Sequence, residues 1–119
     1  MRDPNKVARL AIADMLDAIE NVRAVLADFT FEQFAGSYIH LRATERAIEI
    51  ISEASRRIPS GIKETEPEIP WAKIAGIGNV LRHDYDDVAP RAIWNVIEVD
   101  LPPLEEALRR ILERIDENT

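Results

Sequence analysis

Residues 3–26, DPNKVARLAIADMLDAIENVRAVL, decide the fold class of this chain. Apolar side chains recur along the stretch every three to five residues, a spacing that places them on one face of an α-helix. Asp3 is a candidate N-cap, and Pro4 follows it at the first helical position. The predicted apolar face consists of Val7, Leu10, Met15, Ile19, Val22 and Leu26. The stretch therefore predicts one long amphipathic helix.

The helical period continues after this first helix. Thr30 and Gln33 have the spacing of a capping box, which starts a second helix that we predict to run through Ile58. The sequence Pro59-Ser60-Gly61 ends that helix. Residues 58–70 contain three prolines and a glycine, and they are predicted to form a surface loop.

Prolines mark the starts of three shorter predicted helices, at Pro70, at Pro90 and at the pair Pro102-Pro103. No stretch of the chain alternates apolar and polar residues with the period of two that a strand requires. The sequence therefore predicts an all-α protein, an antiparallel four- to five-helix up-and-down bundle. At this length the bundle is a single domain over residues 1–119.

The composition excludes several functions. The chain has 119 residues, a formal net charge of −7 and no cysteine, so disulfides, thiolate metal sites and a cysteine nucleophile are absent. The acidic balance argues against binding nucleic acid through bulk charge. Residues 33–41 form the longest stretch without a charged side chain, far short of the roughly 20 apolar residues of a membrane span, and the N-terminus does not look like a secretory signal. We therefore predict a cytoplasmic protein with no membrane partner.

Residues 76–85, GIGNVLRHDY, depart from what a helical bundle needs. Gly76 and Gly78 lie inside a helical pattern, where each costs about 0.5–1 kcal/mol relative to alanine, and close packing of another backbone would account for them. Asn79 and His83 are four residues apart and share a helix face, with Arg82 beside them. An amide, an imidazole and a guanidinium in one turn suit metal-free phosphodiester chemistry. The alternative is structural, because a cation at a helix C-terminus is stabilised by the helix dipole.

Metal and cofactor sites are not predicted. The two histidines, His40 and His83, lie on different helices without a spacing that suits zinc. The acidic residues Asp84, Asp86 and Asp87 are interpreted as a solvated helix start ahead of Pro90, not as a magnesium site.

Three separated blocks resemble HepT-like toxins of the HEPN superfamily. Residues 74–85, followed by 92–97 and 100–104, resemble the C-terminal half of those proteins, and residues 45–54 resemble their second helix. The resemblance implies a HEPN-like bundle and a metal-independent endoribonuclease acting on RNA, for example tRNA. It also implies a homodimer with a shared cleft, and a cognate nucleotidyltransferase antitoxin, MntA, that neutralises the toxin by AMPylation of a tyrosine.

The family motif is an arginine, four residues, a histidine, one residue and a tyrosine. The resemblance implies that His83 is the general acid/base, that Tyr85 receives AMP and that Asn79 is a positioning group. The arginine position is Gly78, so the usual phosphate-binding charge is missing there. We assign its role to Arg82, one helical turn later.

The glycine at position 78 leaves two alternatives open. In a dimer the partner's Arg42 or Arg46 supplies the charge, or the activity is weakened. Two functions besides the ribonuclease also stay open. One is a non-catalytic helical partner of a nucleotidyltransferase, and the other is a scaffold bundle that dimerises through Gly76 and Gly78. RNA cleavage distinguishes the ribonuclease from both.

Overall fold

The computed structural model describes residues 3–84 and 89–117, apart from the side chains of residues 80 and 82–84. Every regular element in these ranges is helical, which confirms the predicted all-α bundle. The helices are α1 (Pro4–Val25), α2 (Phe31–Ala35), α3 (Tyr38–Ser55), α4 (Ser60–Lys63), α5 (Trp71–Asp84), α6 (Pro90–Asn95) and α7 (Leu101–Glu117), with a π-helical turn (Val96–Asp100) between the last two.

Helix α1 begins as the sequence predicts. The Asp3 side chain accepts a hydrogen bond of 3.0 Å from the Asn5 amide, and Pro4 is the first helical residue. The prediction of the buried face is wrong at Leu10, which is 58% exposed. Ala8 and Ala11, which the prediction did not use, are fully buried. Their side chains are small, so they let the neighbouring helices approach α1 closely, and Leu10 lies on the opposite side.

The predicted second helix is two helices. Thr30 and Gln33 form the expected capping box at the start of α2, with hydrogen bonds of 3.1 and 2.9 Å. The chain then leaves the helix at Gly36, and the Ser37 hydroxyl caps α3 by accepting from the His40 amide at 3.3 Å. A serine that satisfies the free amides of a new helix favours such a break.

The segment predicted as a surface loop, residues 58–70, contains α4 and a buried carboxylate. Glu66 is 8% exposed and accepts hydrogen bonds of 2.7 Å from both Arg110 and Arg114 of α7. This segment is therefore attached to the last helix by charge pairs.

The predicted start of the last helix at Pro102-Pro103 is also imprecise. The chain runs from α6 through the π-helical turn directly into α7, and the Leu101 amide donates to the Val96 carbonyl. Pro102 and Pro103 have no amide hydrogen, so they fit the first turn of α7 next to this widened turn. Four apolar residues that follow the helical period along α7 are buried, namely Leu104, Leu108, Ile111 and Ile115.

Helix α3 packs between α1 and α5, and α7 packs along α1. Ion pairs join α1 to α7 in antiparallel order, from Arg9–Asp116 through Glu20–Arg109 to Arg23–Glu105. Hydrogen bonds from Arg23, and then from Arg109, lower the pKa of the Glu105 carboxyl below its ordinary value. This arrangement leaves α5 on one side of the bundle, with α3 as its main neighbour.

Candidate functional site

The candidate site is the seam between α3 and α5, because α5 carries the Gly76–Asp84 segment. Ser52 connects the two helices through its hydroxyl, which donates to the Ala75 carbonyl at 2.7 Å and accepts from the Gly78 amide at 3.1 Å. Arg56 of α3 also reaches the Ala75 carbonyl, at 2.7 Å. Residues 52 and 56 thus meet residues 78 and 75 in reverse order, so the helices are antiparallel.

Gly78 is a close-contact position. A Cβ atom built there would lie 2.6 Å from Ser52 Oγ and 2.8 Å from Ser52 Cβ, both far inside normal contact. The predicted close packing is present at Gly78, but the close atoms belong to the Ser52 side chain of the same chain and not to another backbone. Gly76 differs, because a Cβ there would meet nothing within 4 Å.

The position that would carry the motif arginine therefore faces α3. A larger side chain at Gly78 has no space while Ser52 keeps its place. This geometry gives a physical reason for the glycine.

Asn79 is the one predicted site residue whose side chain the structure describes, and it is exposed. Position 83 lies on the same helix one turn later, so it shares a face with Asn79. The side chains of Arg82 and His83, and the whole of Tyr85, lie outside the described residues. The roles assigned to them stay predictions.

The two arginines named as donors from a partner subunit are both engaged within their own chain. Arg42 forms an ion pair with the buried Glu45 and lies 5.1 Å from the ring centre of Tyr38. The hydrogen bond that Arg42 donates to the Glu45 carboxylate raises the pKa of Arg42 above its ordinary value. Arg46 pairs with Glu49 at 3.7 Å.

Arg56 is a residue of this seam that the sequence did not predict. Its side chain is exposed, it stands at the C-terminal end of α3, and it forms no ion pair with any residue in the described ranges. The four-residue spacing from Ser52 to Arg56 does place both on one face of α3. Nothing in the sequence shows that this face meets residues 75–78, so the spacing alone could not identify Arg56 as a residue of the seam.

His40, the other histidine, has a structural role. Its Nδ1 lies 2.6 Å from the Ser37 hydroxyl, and its ring lies 4.3 Å from that of Phe29, measured between centres. It therefore helps to hold the start of α3.

Among the described side chains, which leave out those of residues 80 and 82–88, no group of three or more His, Asp or Glu is arranged to hold a metal ion. The acidic residues Asp86 and Asp87, and the side chain of Asp84, lie outside these described parts of the chain. Among the described helices, none combines the length and the apolar character needed to cross a bilayer.

Comparison with known proteins defines the class. A family model described as "Ribonuclease HepT-like" matches residues 15–111, which is most of the chain. The protein belongs to this family, as the resemblance of its sequence blocks predicts.

Individual relatives agree with the family. A protein of Caldanaerobacter subterraneus named "Putative RNase TTE0752" is 32% identical over 114 residues, covering 96% of this chain and 98% of its own length. "Probable ribonuclease HepT" of Thermococcus cleftensis is 34% identical over 100 residues, covering 84% of this chain and 91% of its own. No solved structure matches the chain.

Proposed function

We propose that the protein is a metal-independent endoribonuclease, the toxin of a HEPN/nucleotidyltransferase pair. The family match and the names of the relatives support RNA as the substrate. The observation that carries the proposal is the placement of Asn79. It is exposed on α5 next to the seam with α3, one turn before position 83.

In this proposal His83 moves the protons. A neutral imidazole takes the proton of a ribose 2′-hydroxyl, whose oxygen attacks the adjacent phosphorus. The 5′-oxygen of the next nucleotide leaves and takes up the proton from the His83 imidazolium, and a cyclic phosphate remains on the first nucleotide. Arg82 stabilises the negative charge on the phosphate oxygens, and Asn79 positions the nucleotide.

Tyr85 is the proposed control point. Its phenol oxygen attacks the α-phosphorus of ATP bound to the nucleotidyltransferase, pyrophosphate leaves, and the phenol proton passes to a base. The product carries AMP two residues from His83, where its bulk and negative charge exclude RNA.

A homodimer is part of the proposal. Tyr38 and Ile39, at the start of α3, are 72% and 76% exposed. Large side chains that are exposed next to each other support a contact with another molecule. Sedimentation of the wild type and of Ile39→Glu tests the dimer, which we expect the glutamate to weaken.

The direct test is cleavage of total RNA and of tRNA by the purified full-length protein in the presence of EDTA. We expect wild-type cleavage with the chelator, and a rate roughly 1,000-fold lower for His83→Ala, the usual size of a lost general acid/base. His40→Ala is the matched control, since the other histidine contacts Ser37 and Phe29, and it should cleave like the wild type. Loss of cleavage with EDTA, or full cleavage by His83→Ala, contradicts the mechanism.

The second candidate function is a non-catalytic partner that presents Tyr85 to the nucleotidyltransferase. The net charge of −7, together with the internal pairing of Arg42 and Arg46, favours it, because both weaken the attraction for RNA. A mass increase by AMP on Tyr85 without any RNA cleavage would support this function over the first.

A further inference from the structure

The arginines in the described part of the chain differ in the partners of their guanidinium groups. Most of them form an ion pair with a carboxylate of the same chain, namely Arg9, Arg23, Arg42, Arg46, Arg57, Arg109, Arg110 and Arg114. Arg91 forms none there, but its guanidinium lies over the ring of Phe31, 3.6 Å from the ring centre. Arg56 has no carboxylate partner and no aromatic partner among the described residues, so its charge is not neutralised by them.

A single hydrogen bond fixes where the Arg56 charge lies. The guanidinium donates from Nη2 to the Ala75 carbonyl at 2.7 Å, and that carbonyl also accepts from Ser52. A guanidinium has five N–H donors, so most of them remain for another acceptor. The planar arrangement of those donors matches the oxygens of a phosphate.

The surface beside Arg56 is open. Gly76, next to the carbonyl that Arg56 contacts, would leave a Cβ with nothing within 4 Å. Asn79, three residues further on, is exposed. Gly76, Asn79 and position 83 follow one face of α5, because residues at i, i+3 and i+7 of a helix lie in line. An extended anion on this face therefore passes both Arg56 and the proposed catalytic turn.

The distance along this face decides which phosphate Arg56 meets. From Ala75 to position 83 the helix rises by about 12 Å, at 1.5 Å per residue. That is farther than one phosphate group extends. An RNA with its reacting phosphate at position 83 would therefore meet Arg56 through a phosphate beside the bond that is cut.

We propose that Arg56 is an RNA-binding residue, which holds a phosphate flanking the cleaved bond at the seam between α3 and α5. The inference rests on the proposed ribonuclease function and extends it to a residue outside the family motif. Arg56 also provides a positive charge near Gly78, the position at which the family motif has an arginine and this chain has a glycine. In a chain with a net charge of −7, an arginine that no described carboxylate neutralises contributes to attracting RNA.

The test measures binding separately from cleavage. The probe is a fluorescent single-stranded 2′-O-methyl oligoribonucleotide, which has no free 2′-hydroxyl to attack phosphorus, and anisotropy is followed over a range of salt concentrations with the full-length protein. We expect Arg56→Ala to weaken binding roughly tenfold, as for other charge-assisted hydrogen bonds. The slope of log affinity against log salt should fall by about 0.7 for one lost phosphate contact.

Two further variants separate a charge effect from a structural one. Arg56→Gln keeps an N–H donor for the Ala75 carbonyl but removes the charge, so we expect it to bind as weakly as Arg56→Ala. Arg57→Ala is the matched control, because this neighbouring arginine pairs with Asp14 at 2.8 Å, and its loss should leave binding unchanged. With cleavable RNA, both Arg56 variants should raise KM far more than they lower kcat.

The outcomes separate the inference from the proposed function. If the wild type cleaves RNA but the Arg56 variants bind the probe with the same affinity and salt slope as the wild type, the inference is wrong and the proposed function stands. If Arg57→Ala loses as much affinity as Arg56→Ala, general surface charge is responsible and the inference is again wrong. If binding depends on Arg56 while the wild type cleaves no RNA, the phosphate site holds and the catalytic proposal fails. If the wild type neither binds nor cleaves, both are wrong.

Discussion

The start and the middle of α5 are attached to the bundle by different chemistry. Before its first turn, Glu66 is buried and pairs with Arg110 and Arg114 of α7, and the Trp71 ring nitrogen donates to the Glu66 carbonyl at 3.1 Å. Farther along, at the seam, α5 is attached to α3 through backbone groups of its own.

At the seam the contacts are a serine hydroxyl on the Gly78 amide and a guanidinium on the Ala75 carbonyl. No described carboxylate pairs with that guanidinium. The charges before α5 therefore neutralise one another, whereas Arg56, for which we propose RNA binding, pairs with no carboxylate in the described part of the chain. The following variants test this contrast between the start of α5 and the seam.

The greatest change is expected from Gly78→Arg, which places the motif arginine at its family position. Its Cβ would lie 2.6 Å from Ser52 Oγ, so α5 must move away from α3. We expect a loss of about 3 kcal/mol in the free energy of unfolding, the upper part of the range for overpacking, measured by urea denaturation. A stable variant with strong RNA cleavage would show that the seam tolerates the side chain.

A double-mutant cycle tests whether Ser52 restricts position 78. Gly78→Ala and Ser52→Gly should each lower the free energy of unfolding. The double variant should lose less than the sum of the two single losses, by about 1 kcal/mol or more. Additive losses would mean that Ser52 is not what restricts this position.

The charge pairs before α5 are tested by Glu66→Gln. The amide keeps the size of the side chain but loses both ion pairs, and we expect a loss of about 2 kcal/mol in the free energy of unfolding at neutral pH. The arginines are half exposed, which keeps the loss below that of a fully buried pair. Unfolding curves in urea measure it.

The pH dependence of this loss has a definite sign. Hydrogen bonds from Arg110, and then from Arg114, lower the pKa of the Glu66 carboxyl in the folded protein. Its contribution is therefore complete above the pKa of an exposed glutamate, roughly 4.3, and disappears as the pH falls through the lower folded value. The difference between the wild type and Glu66→Gln should shrink in acid. A difference that stays constant would mean that the ion pairs do not cause it.

Gly76→Ala is the matched control for position 78. Since a Cβ there meets nothing within 4 Å, only the helix propensity changes, and we expect a gain of about 0.5–1 kcal/mol in the free energy of unfolding. A loss at position 76 as large as that of Gly78→Ala would show that helix geometry, and not contact with α3, accounts for both glycines.

Arg57→Ala should change stability least. Its pairs with Asp14 and Glu53 are exposed, so their loss should change the free energy of unfolding by about 0.5 kcal/mol or less. Thermal unfolding at two salt concentrations measures this. A larger effect would mean that surface pairs also hold α3 in place.

Local signals in the sequence were sufficient for much of the fold. The Asp3-Pro4 start, the Thr30 capping box and the buried positions of α7 follow from spacing and from hydrogen bonds within a few residues. The prediction failed where a distant partner decided the outcome. Leu10 is exposed because two alanines face the neighbouring helices, and Glu66 is buried because two arginines from α7 meet it.

The candidate site divides in the same way. The motif segment and the family were predicted from the order of residues along the chain. The shared face of Asn79 and position 83 was predicted as well, because the geometry of a helix depends only on neighbouring residues. The contact of Ser52 with Gly78 and the placement of Arg56 on Ala75 join residues 26 and 19 positions apart. Such contacts depend on how two helices pack, and the packing of the whole bundle decides that.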